Sequence, residues 1–136
     1  MSAQLNIEPL SNAVQRLDEG LHRYLQNKED IQIRDGLVQR FEFTYELTHK
    51  TLKRFMALTG ANPEDIAQMA FSDLIRTGNA QGLLSKDWAE WRGFREMRGS
   101  TSHAYDERIA LKVVAEIPAF LSEAKFFLQQ LQSRLI

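Results

Sequence analysis

Apolar residues recur along most of the chain at alternating steps of three and four. Leu10, Val14, Leu17, Leu21 and Tyr24 follow this spacing, which marks one face of an α-helix packed in a bundle. Pro9 suits the first turn of that helix, where a missing N–H costs nothing. The polar segment from Gln26 to Asp30 predicts a short connection, and a second helix is predicted from about Ile31 to Thr59, ended by Gly60. This helix carries two apolar stripes. Val38, Phe41, Tyr45, Thr48, Leu52 and Phe55 form one, while Phe43, Leu47 and Leu58 fall nearly opposite. A helix apolar on two sides is buried on both, within its own fold or against a second subunit.

Asn62, Pro63 and Glu64 supply an N-cap, a first-turn proline and an early acidic residue, so a third helix is predicted from there to near Thr77. The run from Gly78 to Leu84 contains two glycines and reads as a loop. Ser85 with Asp87 caps a fourth helix in which Trp88, Trp91, Arg95 and Arg98 share one face, so arginines extend an aromatic stripe. Gly99, followed by Ser100, Thr101 and Ser102, predicts a break, because short hydroxyl side chains compete for backbone hydrogen bonds. Asp106 and Glu107 then open a last helix that runs to about Arg134. Its seam is Ile117, Leu121, Ala124, Leu128, Leu131 and Leu135, widened by Val113, Phe120 and Phe127. Pro118 predicts a kink there and not an end, since the seam stays in phase on both sides. The expectation is all-α: an antiparallel four- to five-helix up-and-down bundle, with residues 1–136 as a single domain.

Composition narrows the chemistry. A length of 136 residues, 43% hydrophobic and 26% charged, is ordinary for one globular domain. Cysteine is absent, which removes disulfides, thiolate nucleophiles and cysteine-based zinc sites. The opening MSAQLNIEPL lacks a basic region and an apolar run, so no signal peptide is read and a cytoplasmic location without membrane contact is expected. A net charge of −1 argues against a broad basic surface, so any nucleic-acid contact must be local, and Arg92, Arg95, Arg98 and His103 form the densest candidate patch. There is no phosphate-binding glycine loop, no HExxH, no nucleophile elbow and no tight carboxylate–histidine set, so neither metal nor cofactor is expected.

Of the three histidines, His22 reads as surface and His49, one turn after Tyr45, as a packing residue. His103 differs because of what precedes it. On a continuous helix Arg98 and His103, five positions apart, would diverge by about 140°. A turn at Gly99 to Ser102 would let both line one cleft, with Tyr105 on the same side as His103. An arginine and a histidine suffice for metal-independent RNA cleavage: imidazole can move a proton at the 2′-hydroxyl or the leaving oxygen, and guanidinium stabilises charge on phosphorus oxygens. One histidine serves poorly as both acid and base, which makes a twofold dimer the natural arrangement. By spacing alone, an arginine near a helix end with a capping histidine fits a purely structural role as well.

Arg98, His103 and Tyr105 read as Arg-x4-His-x-Tyr, and the string RDGLVQRFEFTYELTHKTLKRF with the later GLLSKDW and SHAYDE runs completes the pattern. Together these resemble the HEPN domain family, in its nucleotidyltransferase substrate-binding branch. The resemblance implies a helical homodimer and a partner of the minimal nucleotidyltransferase type encoded nearby. It also implies that Arg98 and His103 are catalytic in an RNase toxin acting on RNA such as tRNA, that Tyr105 accepts AMP from the partner, and that Arg95, Arg92 and Ser102 help bind substrate. In the branch's other reading, the helical protein is a non-catalytic subunit that binds substrate for the nucleotidyltransferase. The chain departs from the family pattern at Gly99, where a polar residue, most often Asn, usually follows the arginine. That departure bears on RNase activity and leaves the bundle, the dimer and the tyrosine untouched.

Overall fold

The structure, a computed structural model, describes residues 5–60 and 62–135; the opening tetrapeptide, part of the segment read above as lacking a leader, lies outside them. Six α-helices and one 3₁₀ turn form the described part, with no strand among the described residues. They are α1 (Glu8–Gln26), α2 (Ile31–Leu58), α3 (Pro63–Gln68), α4 (Phe71–Ala80), α5 (Trp88–Ser100), the 3₁₀ turn Thr101–His103, and α6 (Glu107–Arg134). Short connections fold α1, α2 and α6 into the body of the bundle. Asp30 caps α2 by accepting from the Ile33 N–H, and Asp106 caps α6 by accepting from the Arg108 and Ile109 N–H groups.

The predicted seams form most of the core, while Leu135 of the last seam and Leu58 of the second α2 stripe are exposed. Leu17, Phe41, Leu52, Ile117, Phe120, Phe127 and Leu131 are fully buried. Phe41 meets Phe120 edge-on at 5.0 Å between ring centroids, and Phe94 meets Phe120 in the same way at 5.3 Å. Edge-to-face pairs of this kind add about 0.5 to 1.5 kcal/mol beyond the area they bury. Pro118 sits on the exposed side of α6, and the helix passes through it without ending.

Three local expectations are corrected. The single third helix is two, because Met69 and Ala70 are extended (ψ 134° and 149°). The bend lets α3 lie on the end of α2 while α4 packs on α5, which one straight helix could not do. The predicted loop from Gly78 begins later. Gly78 is buried inside α4, where a Cβ would meet Leu84 Cδ1 at 3.1 Å and Leu52 Cδ1 at 3.3 Å, so it serves close packing. The turn itself is made at Gly82, whose φ of +75° favours glycine.

The third correction concerns Gly99, which does not break the chain: α5 continues to Ser100 and tightens into the 3₁₀ turn. The hydroxyls that were expected to compete with the helix instead serve it. Ser100 Oγ donates to the Glu96 carbonyl at 3.0 Å and Thr101 Oγ1 to the Arg98 carbonyl at 2.8 Å. No helix among the described residues is long and apolar enough to cross a membrane.

Candidate functional site

The two ends of α5 are fixed by carboxylates from other helices. At its start, Asp87 accepts from the Trp88 N–H at 2.8 Å, and the Asp87 N–H donates to Glu90, completing a capping box. Trp91 is fully buried, and its indole N–H donates to Glu123 of α6 at 2.8 Å. Glu123, itself fully buried, also accepts from the Ser85 N–H and hydroxyl and from the Lys86 N–H. Ser85 therefore holds the preceding loop to α6, and the helix cap is Asp87 alone. Trp91 packs into the chain's own core, 5.3 Å from Phe94 and 5.9 Å from Phe120.

At the other end Arg98 is half-buried and faces α2. Its Nε donates to Glu46 Oε1 at 3.1 Å, its Nη1 donates to Thr101 Oγ1 at 3.1 Å, and the same Nη1 lies 3.9 Å from Glu42 Oε2. Glu42 and Glu46 are one helical turn apart, so one face of α2 presents both carboxylates to one guanidinium. Thr101 is buried, and its hydroxyl accepts from the Arg98 side chain while donating to the Arg98 carbonyl. Sequence reasoning missed Glu42, Glu46 and Thr101. The i, i+4 pair of glutamates flanking Phe43 on an otherwise apolar stripe was the available signal.

His103 ends the 3₁₀ turn and is exposed; its ring centroid is 6.1 Å from that of Tyr105, tilted edge to face. Tyr105 is 86% exposed, the most open large side chain of the site. Its position is fixed from below: Asp106 caps α6, and Arg34, buried on α2, reaches Glu107 Oε1 at 3.3 Å. The contrast with Tyr45 is chemical. Tyr45 is buried, and that burial pushes its phenol up to about 12, so it stays neutral and closed to reagents.

The remaining candidates divide. Arg95 lies over the Phe71 ring at 5.3 Å, a cation–π contact, beside Trp88, which meets the same ring edge-on. Ser102 is exposed next to His103, with its hydroxyl 3.5 Å from the Gly99 carbonyl. Arg92 is turned about 120° away from Arg98 around α5 and pairs with Glu96 at 3.5 Å. Arg98 is thus paired with Thr101, and His103 with Tyr105 just after it in the chain; Arg95 lies over Phe71 and Arg92 stands apart. His49 is half-buried with its ring edge-on to Phe71 at 4.7 Å, and burial holds its pKa below the usual 6.5. No group of three or more His, Asp or Glu among the described residues could hold a metal ion.

Known proteins resemble this chain in sequence and fold. The protein named Probable ribonuclease HepT from Haemophilus influenzae is 41% identical over 99 residues, which cover 73% of this chain and 67% of that one. The solved structure of HI0074 from Haemophilus influenzae, described as revealing the fold of a substrate binding domain of a nucleotidyltransferase, is similar with a TM-score of 0.86 at 34% identity. That likeness covers 93% of this chain and 99% of the other. Residues 5–133 match the family described as nucleotidyltransferase substrate binding protein like. The branch read from the sequence is the one found, and this chain belongs to the nucleotidyltransferase substrate binding protein-like family.

Proposed function

We propose that this chain, as a single HEPN-type domain, is a metal-independent ribonuclease toxin that acts as a cytoplasmic homodimer. A minimal nucleotidyltransferase silences it by adenylylating Tyr105. The observation that carries the reading is the exposed pair of His103 and Tyr105 at the end of the helix that bears Arg98. In cleavage, one His103 imidazole takes the proton of an RNA 2′-hydroxyl, whose oxygen attacks the adjacent phosphorus. The second copy of His103, protonated, gives its proton to the departing 5′-oxygen, leaving a 2′,3′-cyclic phosphate and a 5′-hydroxyl. Arg98 stabilises charge on the phosphorus oxygens, and Glu46 and Thr101 hold its guanidinium in one orientation. In silencing, the Tyr105 oxygen attacks the α-phosphorus of ATP and pyrophosphate leaves. The modified side chain then adds bulk and negative charge beside His103, where a phosphodiester would otherwise sit. Arg95 and Ser102 contact substrate at the rim.

A second reading, a non-catalytic subunit that binds substrate for the nucleotidyltransferase, is favoured by the pairing of Arg98 with two carboxylates and by Gly99 in place of the family's polar residue. Intact mass of the chain expressed alone and together with a minimal nucleotidyltransferase, followed by incubation of each form with total tRNA in EDTA, tests both. AMP on Tyr105 with loss of cleavage is the expected result. No cleavage and no added mass, with a stable complex, would overturn the toxin reading in favour of the subunit.

A further inference from the structure

One stripe of α2 changes character halfway along. Glu42, Glu46, Lys50, Lys53 and Arg54 succeed one another at helical spacing, and together they line two shallow grooves that meet at Lys50. The first groove, about 370 Å³, contains Glu42, Glu46 and Arg98. The second, about 240 Å³, contains Lys53 and Arg54 and is walled by α3. In the first, the arginine and the carboxylates answer each other. In the second, Lys50, Lys53 and Arg54 have no carboxylate within 4 Å among the described residues.

The imbalance continues around the helix. Lys53, Arg95 and Lys50 all disfavour protonation of His49, which Glu46 alone opposes. Arg95 and His49 also share the Phe71 ring, one over its face and the other at its edge. In a chain of net charge −1, four unanswered cations, one of them over a half-exposed aromatic ring, are a local concentration of positive charge. Cations in a row beside a π-face suit a flexible polyanion that carries planar groups, whereas an acidic protein surface would make no use of the ring.

We propose that Lys50, Lys53, Arg54 and Arg95 form a track for the backbone of single-stranded RNA, leading it to Arg98 and His103. This rests on the ribonuclease reading for where the strand goes, and on charge and geometry for how it is held. Along α2, from Lys50 to Arg54, the track is about 6 Å long at 1.5 Å per residue, enough for roughly two stacked nucleotides.

The test is fluorescence anisotropy of a labelled single-stranded RNA dodecamer in EDTA, in a His103→Ala background so that the probe survives. The variant Lys50→Gln, Lys53→Gln, Arg54→Gln is compared with a control of equal charge loss, Arg23→Gln, Lys28→Gln, Lys112→Gln, taken from exposed positions elsewhere. The track variant should weaken binding at least tenfold and lower the slope of log K against log salt by about two, since each neutralised contact on a single strand contributes about 0.7. The control should change affinity less than twofold. Equal losses in both variants, no loss in the track variant, or no binding by the parent would overturn the track. So would RNA binding that survives while the complex with the nucleotidyltransferase is lost, which would reassign the stripe to a protein partner. Cleavage by the parent with unchanged binding in the track variant defeats the track alone. Binding through the track without cleavage by the chain that retains His103 defeats the nuclease reading alone.

Discussion

The two ends of α5 use the same device with opposite consequences. At the Trp91 end a single carboxylate, Glu123, is fully buried and accepts four hydrogen bonds, so every polar group has a partner within the chain. At the Arg98 end two carboxylates share one guanidinium, and all three groups keep contact with water. A closed network fixes the fold and has nothing left to offer a ligand. An open one holds its arginine in place while leaving it reachable, and in water such a pair adds about 1 kcal/mol or less to stability. The closed network and the open one stand within the 13 residues of one helix.

Substitutions at the two ends should therefore fail differently. Glu123→Ala strands the indole N–H, the Ser85 N–H and the Lys86 N–H, and should cost about 3 to 5 kcal/mol in urea unfolding. RNA cleavage by the fraction still folded should be unchanged; a selective loss of cleavage would erase the distinction. At the other end, Arg98→Ala should lower cleavage about 100- to 1,000-fold with less than about 1 kcal/mol change in unfolding free energy. A large loss of stability in that variant would make Arg98 structural.

Thr101→Val sharpens the same point. It keeps the volume of a buried side chain and removes the hydroxyl that aims Arg98, so cleavage should fall about tenfold, with Thr101→Ser restoring it. Equal loss in both variants would assign Thr101 to packing.

The smallest effect is at His49, between the two ends. Its folded pKa lies below 6.5, so between those values the unfolded chain binds more protons. Stability is therefore full above pH 6.5 and declines as pH falls through the folded value. Melting temperatures across this range should fall less in His49→Gln than in the parent; parallel curves would remove His49 as the cause.

How far the sequence could be read depended on the range of the interaction. The α1 stripe, the α6 seam up to Leu131 and the helix starts at Asp87 and Asp106 depend on near neighbours along the chain, and they stand where the spacing put them. Arg98, His103 and Tyr105 were legible as a motif; in the structure Arg98 lies near the end of α5, and the exposed rings of His103 and Tyr105 meet just beyond it. The break at Gly99 was misread because a helix can continue when its hydroxyls bond back to its own carbonyls. The split of the third helix was invisible because α3 and α4 answer to two different packing partners, α2 and α5, on which a single straight helix could not lie.

What the sequence determined alone is the helical class, the order of the long helices, their apolar faces and the identity of the motif. Each of these follows from a period of 3.6 residues and from side chains within one turn of each other. Only the tertiary structure decided that Glu123 closes over Trp91 and that Glu42 and Glu46 hold Arg98. Those pairings join residues 32 to 56 positions apart in the chain, and no local period records which distant face a helix will meet.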